Sequence, residues 1–226
     1  LLKANERHIG GDDPRVPLGQ SLTEAEAKGG KLKLQVKRGE EIIEVFLTVP
    51  TLGSYAKDWP QNCDKPKAII AAHALHIHGL QTQEGWIGKG SGLEEVMGAI
   101  FLLSTKNPAY DKSLLRYARL LADSVKEKPS GSAWHLGYHL IFLSEYYLRT
   151  GKAFVLPAIK TACKTAAEGQ AAGAWGHGFS NVSVGYVQSG LMNSAGVTLF
   201  LGLTLARECG VTIHEEAWQR SLVFFY

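Results

Sequence analysis

The sequence predicts a mainly α protein built from helical hairpins, preceded by a small α+β segment. Three observations carry this. Apolar residues alternate with a period of two only near the N-terminus; everything after about residue 65 has the period of a helix; and helices that are apolar nearly all round alternate with helices that are apolar on one side. With 45% apolar and 20% charged residues in 226, the chain has ordinary globular composition and can bury a sizeable core.

The period of two is clearest in KLKLQVKRGEEIIEVFLTVP, Lys31 to Pro50. There Leu32, Leu34 and Val36 alternate with Lys and Gln before the turn at Arg38-Gly39-Glu40-Glu41, and Ile43, Val45, Leu47 and Val49 alternate after it. Such a pattern predicts a two-stranded hairpin with one buried face. Before it, Leu1 to Ile9 reads as a strand and Pro14 to Lys28 as a helix closed by Gly29-Gly30. Thr51 to Pro66, with Gly53, Asn62 and two prolines, is a turn-rich linker. The expected organisation is therefore 1–50, a linker at 51–64, and a helical region at 65–226. Its helices are expected over Lys65–His78, Gly92–Ser104, Asp111–Lys126, Ala133–Thr150, Phe154–Glu168, about Gln188–Cys209, and Ile213 to the end.

Within the helical region three segments rhyme: QEGWIGKGSG from Gln83, SGSAWHLGY from Ser130 and AAGAWGHGF from Ala171. Their tryptophans, Trp86, Trp134 and Trp175, stand 48 and 41 residues apart, the length of a helix pair with its loops, and each is expected to precede a helix. Gly92–Ser104 and Ala133–Thr150 have few polar positions, whereas Asp111–Lys126 carries a one-sided stripe. Hairpins that alternate in this way wrap an inner layer with an outer one, as a ring or superhelix.

These residues carry two resemblances. LLKANERHI, the helix after it and the KLKLQVKRGEEIIEVFLTV hairpin resemble the C-terminal half of a PDZ domain. Gln170-Ala-Ala-Gly173-Ala-Trp175, with Gln81…Gly85-Trp86 as a looser copy, is similar to the Gln…Gly-x-Trp repeat of terpenoid cyclases, and so to the α/α toroids. The order of a PDZ-like half and then a toroid resembles an uncharacterised bacterial family with a domain of unknown function. The resemblance implies a partial PDZ-like domain followed by a partial α/α toroid of about three and a half hairpins, where a full ring takes about six. A chain that begins at Leu1 is thus expected to be a piece of a longer protein. Its compartment is unreadable, and export from a bacterial cell is one expectation.

In a toroid, the loops entering the inner helices open on one end of the cavity. That arrangement puts Trp86, Glu94, Glu95, Trp134, His135, Tyr138, Trp175, His177, Asn181, Tyr186 and Asn193 on the candidate surface. Of these, Trp86, Trp134, His135, Tyr138, Trp175 and Asn193 are the expected ligand contacts. His177, Asn181, Tyr186 and Glu94 are the catalytic candidates, His177 because it can serve in general acid–base chemistry. Against a two-carboxylate hydrolase, the 38 residues from Gly169 to Ala206 contain no Asp, Glu, Lys or Arg. The DxDD acid motif of terpenoid cyclases, a GxSxG elbow, a P-loop and a dinucleotide fingerprint are all missing from the sequence.

Charge and composition narrow the partners. Twenty-four basic residues against 21 acidic ones, interspersed, give a net charge of +3 and no basic run to track nucleic acid. No apolar run reaches the ~20 residues of a membrane helix; the stretch from Gly190 to Ala206 is interrupted by Asn193, Ser194 and Thr198. Three cysteines without CxxC spacing, and the pairs His135/His139 and His73/His76/His78 without a matching partner motif, argue for no metal and no cofactor. The reading that follows is a binding or scaffold protein for a peptide or glycan, with a glycan-active lyase or hydrolase as the alternative.

Overall fold

The computed structural model describes residues 1–59, 61–88, 92–179, 191 and 193–226. Contacts divide the chain into two units, Leu1–His73 and Ala74–Tyr226, and the division falls inside a helix.

In the first unit four strands form one antiparallel sheet in the order β2-β1-β3-β4. β1 (Lys3–Ala4) and β2 (Arg7–His8) replace the single strand expected over residues 1–9. The break is at Asn5, whose positive φ of 49° turns the chain. Its side-chain oxygen accepts from the Lys33 amide and its Nδ2 donates to the Ser21 carbonyl. β3 (Lys31–Arg38) and β4 (Glu41–Thr48) pair with Leu32 opposite Leu47, Leu34 opposite Val45 and Val36 opposite Ile43. The alternating apolar residues therefore do share one face. α1 (Arg15–Ala27) lies on it, and Ala4, Ala25 and Leu32 form a small core with the buried Ser21 hydroxyl donating to the Ala4 carbonyl. The cover is incomplete: towards the hairpin tip the same face is only half-buried, and on the other face Phe46 and Ile42 are 72% and 58% exposed.

α2 (Asp64–Gly79) runs across the division between the units. The second unit then holds α3 (Leu93–Ser104), α4 (Asp111–Glu127), α5 (Ala133–Thr150), α6 (Leu156–Glu168), α7 (Asn193–Glu208) and α8 (Glu215–Phe225). α7 was expected to begin near Gln188, a position outside the described residues. α5 has the predicted bounds because its end is punctuated: Gly151 takes a left-handed φ of 66° and returns its amide to the Tyr147 carbonyl.

α3, α5 and α7 run parallel, side by side. Gly92 and Leu103, at the two ends of α3, meet His135 and Arg149 at the two ends of α5. Gly137, Leu140 and Ser144 of α5 meet, in order, Thr198, Gly202 and Cys209 at and beyond α7. α5 and α7 approach so closely that a Cβ on Gly137 would lie 2.4 Å from Thr198 Oγ1 and 2.9 Å from the Leu199 backbone nitrogen. Only a residue without a side chain allows that contact. α4 and α6 are the one-sided helices: Leu114, Tyr117, Ala118 and Leu121 of α4, and Ala158, Ile159, Ala162 and Ala166 of α6, face the core while their Lys and Glu residues face solvent. Leu136, Leu140 and Leu143 of α5 sit at the centre, each fully buried and contributing about 1.5–3 kcal/mol by transfer from water.

The Gln-Gly-Trp segments tie this unit together. Gln81 Nε2 donates to the Ser113 carbonyl, at the third residue of α4, and Gln170 Nε2 donates to the Ala217 carbonyl, at the third residue of α8. In both cases the loop before an inner helix is pinned to the first turn of the outer helix that follows. The middle segment does otherwise. Trp134 is the second residue of α5, as the expected bounds Ala133–Thr150 have it. That segment has no Gln before its Trp to make the tether.

Candidate functional site

The N-terminal ends of the three parallel helices lie at one end of the second unit, and that end gathers most of the predicted site residues. Trp134, His135 and Tyr138 occupy the first two turns of α5 and are all half-buried. His177 reaches them from the loop that follows α6. Its backbone carbonyl accepts from the Ala133 amide at 3.0 Å, and its Nδ1 accepts from Trp134 Nε1 at 2.9 Å. The two rings are 6.3 Å apart and tilted at 37°. One acceptor bond fixes the imidazole: when neutral, His177 carries its proton on Nε2.

Next to this pair, His135 Nδ1 shares a hydrogen bond with Ser132 Oγ at 3.0 Å. The edge of its ring packs on Gly92, the residue before α3, where a Cβ would come within 2.7 Å of the ring. Gly92 also holds a positive φ of 83°, so the junction of the α3 and α5 ends depends on glycine twice over. One turn further on, His139 stands 6.4 Å from His135, ring centre to ring centre. Burial, and secondarily the neighbouring His135, push its imidazole down to about 4, and its buried Nδ1 has no hydrogen-bond partner among the described residues.

The other candidates are placed as follows. Glu94 is exposed in the first turn of α3 and Asn193 is exposed at the start of α7. Asn181 and Tyr186 lie outside the described residues. Trp86 is half-buried, edge-on to Tyr117 at 5.9 Å. Two expected surface residues are instead interior. Trp175 is fully buried, with its indole N–H donating to the Ala166 carbonyl at 2.8 Å, so it offers no surface to a ligand. Glu95 is 4% exposed, facing inward from α3, and its charge adds to the burial that raises the Tyr117 hydroxyl above the usual phenol range.

A feature the motifs did not point to is the exposed face of the parallel helices. Met97 on α3, Ile141 and Leu148 on α5, and Val197 and Leu201 on α7 lie at helical spacing and are about half open to solvent, Ile141 less so. Trp134 and Tyr138 continue the α5 stripe to its N-terminal end. Between α3 and α5 this face holds a groove of about 760 Å³ lined by Ile100, Ile141, Leu148, Glu145 and Arg149. The signal was present in the sequence as helices with too few polar positions, which periodicity alone reads as burial on all sides.

Among the described residues no group of three or more His, Cys, Asp or Glu side chains is placed to hold a metal ion, and no helix is long and apolar enough to cross a membrane. The three cysteines are free and buried. A family model described as a domain of unknown function, DUF6288, matches residues 66–226, the greater part of the chain, and the chain belongs to that family. No curated protein and no solved structure matches it.

Proposed function

We propose that the chain is a binding protein: a PDZ-like segment at residues 1–50 followed in sequence by a toroid-like array of helical hairpins that takes up a peptide or glycan along the exposed face of its parallel helices. The observation that carries this reading is the continuity of Trp134 and Tyr138 with the open apolar stripes of α3, α5 and α7, beside a histidine whose ring is fixed by the Trp134 indole. Aromatic faces at one end of α5 and a groove with Ile100, Ile141 and Leu148 towards its other end suit stacking on sugar rings or on the side chains of an extended peptide.

Two arguments favour binding over glycan cleavage. First, His177 Nδ1 is occupied by the Trp134 N–H, so the neutral ring carries its proton on Nε2 and lacks the free lone pair a general base needs. Second, the carboxylates are spread out. The match of Gly92 with His135 puts Glu94 level with about Gly137, and Glu145 is then about 12 Å further along α5. Glycosidase carboxylates work at about 5–9.5 Å.

Glycan and peptide arrays probed with the wild-type chain, Trp134→Ala and Tyr138→Ala test the proposal. Retention of one ligand class by the wild type, reduced at least tenfold in both variants, is the expected result. Binding that both variants keep in full would overturn it, as would release of a cleaved product that His177→Ala abolishes.

A further inference from the structure

A second cavity lies on the opposite, outer side of the unit, away from the proposed site. α4 packs against α6, but α6 and α8 do not close on each other in the same way. The gap between them is a cavity of about 680 Å³, within the 300–1,000 Å³ range of small-molecule pockets. Its floor is mostly apolar, with Ala167 and Cys163 of α6 and Ile213 of the α7–α8 loop, beside Thr161 and Thr212. Its rim is cationic: Lys160 and Lys164, one turn apart on α6, and Arg220 on α8.

The balance of charge at that rim sets the ligand. Glu168 is its one carboxylate and stands 3.7 Å from Lys164, while Arg220 is engaged at 2.8 Å by Glu216 and also donates to Gln170. Lys160 has no carboxylate within ion-pair distance among the described residues. An anionic head at Lys160 would therefore replace water, not a protein partner, and could draw on Lys164, whose pairing with Glu168 is loose. His214, also at the rim, uses Nδ1 to accept from the Ala217 amide as the cap of α8, which leaves its other ring nitrogen as a donor.

We propose that this cavity binds a single-chain amphiphilic carboxylate, its aliphatic tail on the Ala167–Ile213 floor and its head at Lys160 and Lys164. Both halves of the ligand are needed: an apolar floor without the head would not distinguish a carboxylate from an alcohol, and three surface cations without the floor would hold any small anion only weakly.

Titration calorimetry with laurate below its micelle concentration tests this, with dodecyltrimethylammonium and acetate as probes of the head and the tail. Laurate is expected to bind, and the cationic amphiphile and acetate to bind at least tenfold more weakly. Lys160→Glu with Lys164→Glu, both solvent-exposed, should weaken laurate at least tenfold. Ala167→Phe should block it by filling the floor, with an unchanged circular dichroism spectrum as the control for folding. Equal affinity for the two amphiphiles, laurate binding unaffected by the charge reversal, or binding of an acidic amphipathic peptide but not of laurate would each overturn the assignment.

Discussion

His139 makes the second unit sensitive to acid in a way that one substitution can remove. In the folded chain burial first, and His135 second, hold its imidazole at about 4, against about 6.5 in an unfolded chain. As the pH falls below 6.5 the unfolded chain takes up the proton and the folded one does not. The contribution of the neutral ring to stability is therefore complete above about pH 6.5 and is lost progressively as the pH falls towards 4. A difference of about 2.5 pH units corresponds to at most about 3 kcal/mol, of which about 2–3 kcal/mol is gone by pH 4.5. His139→Leu removes the titration, and also the buried Nδ1 that has no partner among the described residues, so it should cost little or nothing at pH 7. Urea unfolding of both chains from pH 7.5 to 4.5 measures the effect. Carboxylates titrate alike in the two, and the difference isolates His139 together with its repulsion of His135. The wild type should lose roughly 1 M more in its urea midpoint than the variant, given a slope of about 1–3 kcal/mol per molar. If the two midpoints fall in parallel within about 0.2 M, the imidazole is not held neutral by its surroundings and the reasoning fails.

Two further outcomes follow from the contacts. Gln170→Ala removes the donors to the Ala217 carbonyl and Ser221 Oγ, both at 2.8 Å, and the acceptor for Arg220; a loss of about 1–3 kcal/mol is expected, read as faster amide exchange in α8 with α3 and α5 unchanged, and equal acceleration everywhere would contradict a local tether. Gly137→Ala gains up to about 1 kcal/mol of helix propensity but drives a methyl group onto the Thr198–Leu199 backbone, at about 1–3 kcal/mol for overpacking; the melting temperature should fall, and a rise would mean that α5 and α7 are not in the contact described.

What the sequence made legible was local. The hairpin register could be read because a period of two puts Leu32, Leu34 and Val36 on one face whatever lies opposite, and the structure sets Leu47, Val45 and Ile43 against them. The bounds of α5 could be read because Gly151 ends it by backbone conformation alone. The placement of the tryptophans could not. Trp134 and Trp175 stand in similar local text, yet one is half-buried with its N–H on His177 and the other is closed over by the core with its N–H on Ala166. Periodicity says which residues share a face and is silent on what covers that face. The same silence hid the open stripes of α3, α5 and α7, since a helix apolar all round reads identically whether its last side is buried or presented to a ligand. The residues that separate those two cases are the long-range partners: a Gln at 81 or 170 that finds an outer helix 32 or 47 residues later, and a Trp at 134 that finds a histidine 43 residues later. The tethers by Gln81 and Gln170 fix where two of the loops sit, and the middle segment, which has no such Gln, is held instead by the Trp134 indole and the Ala133 amide on His177.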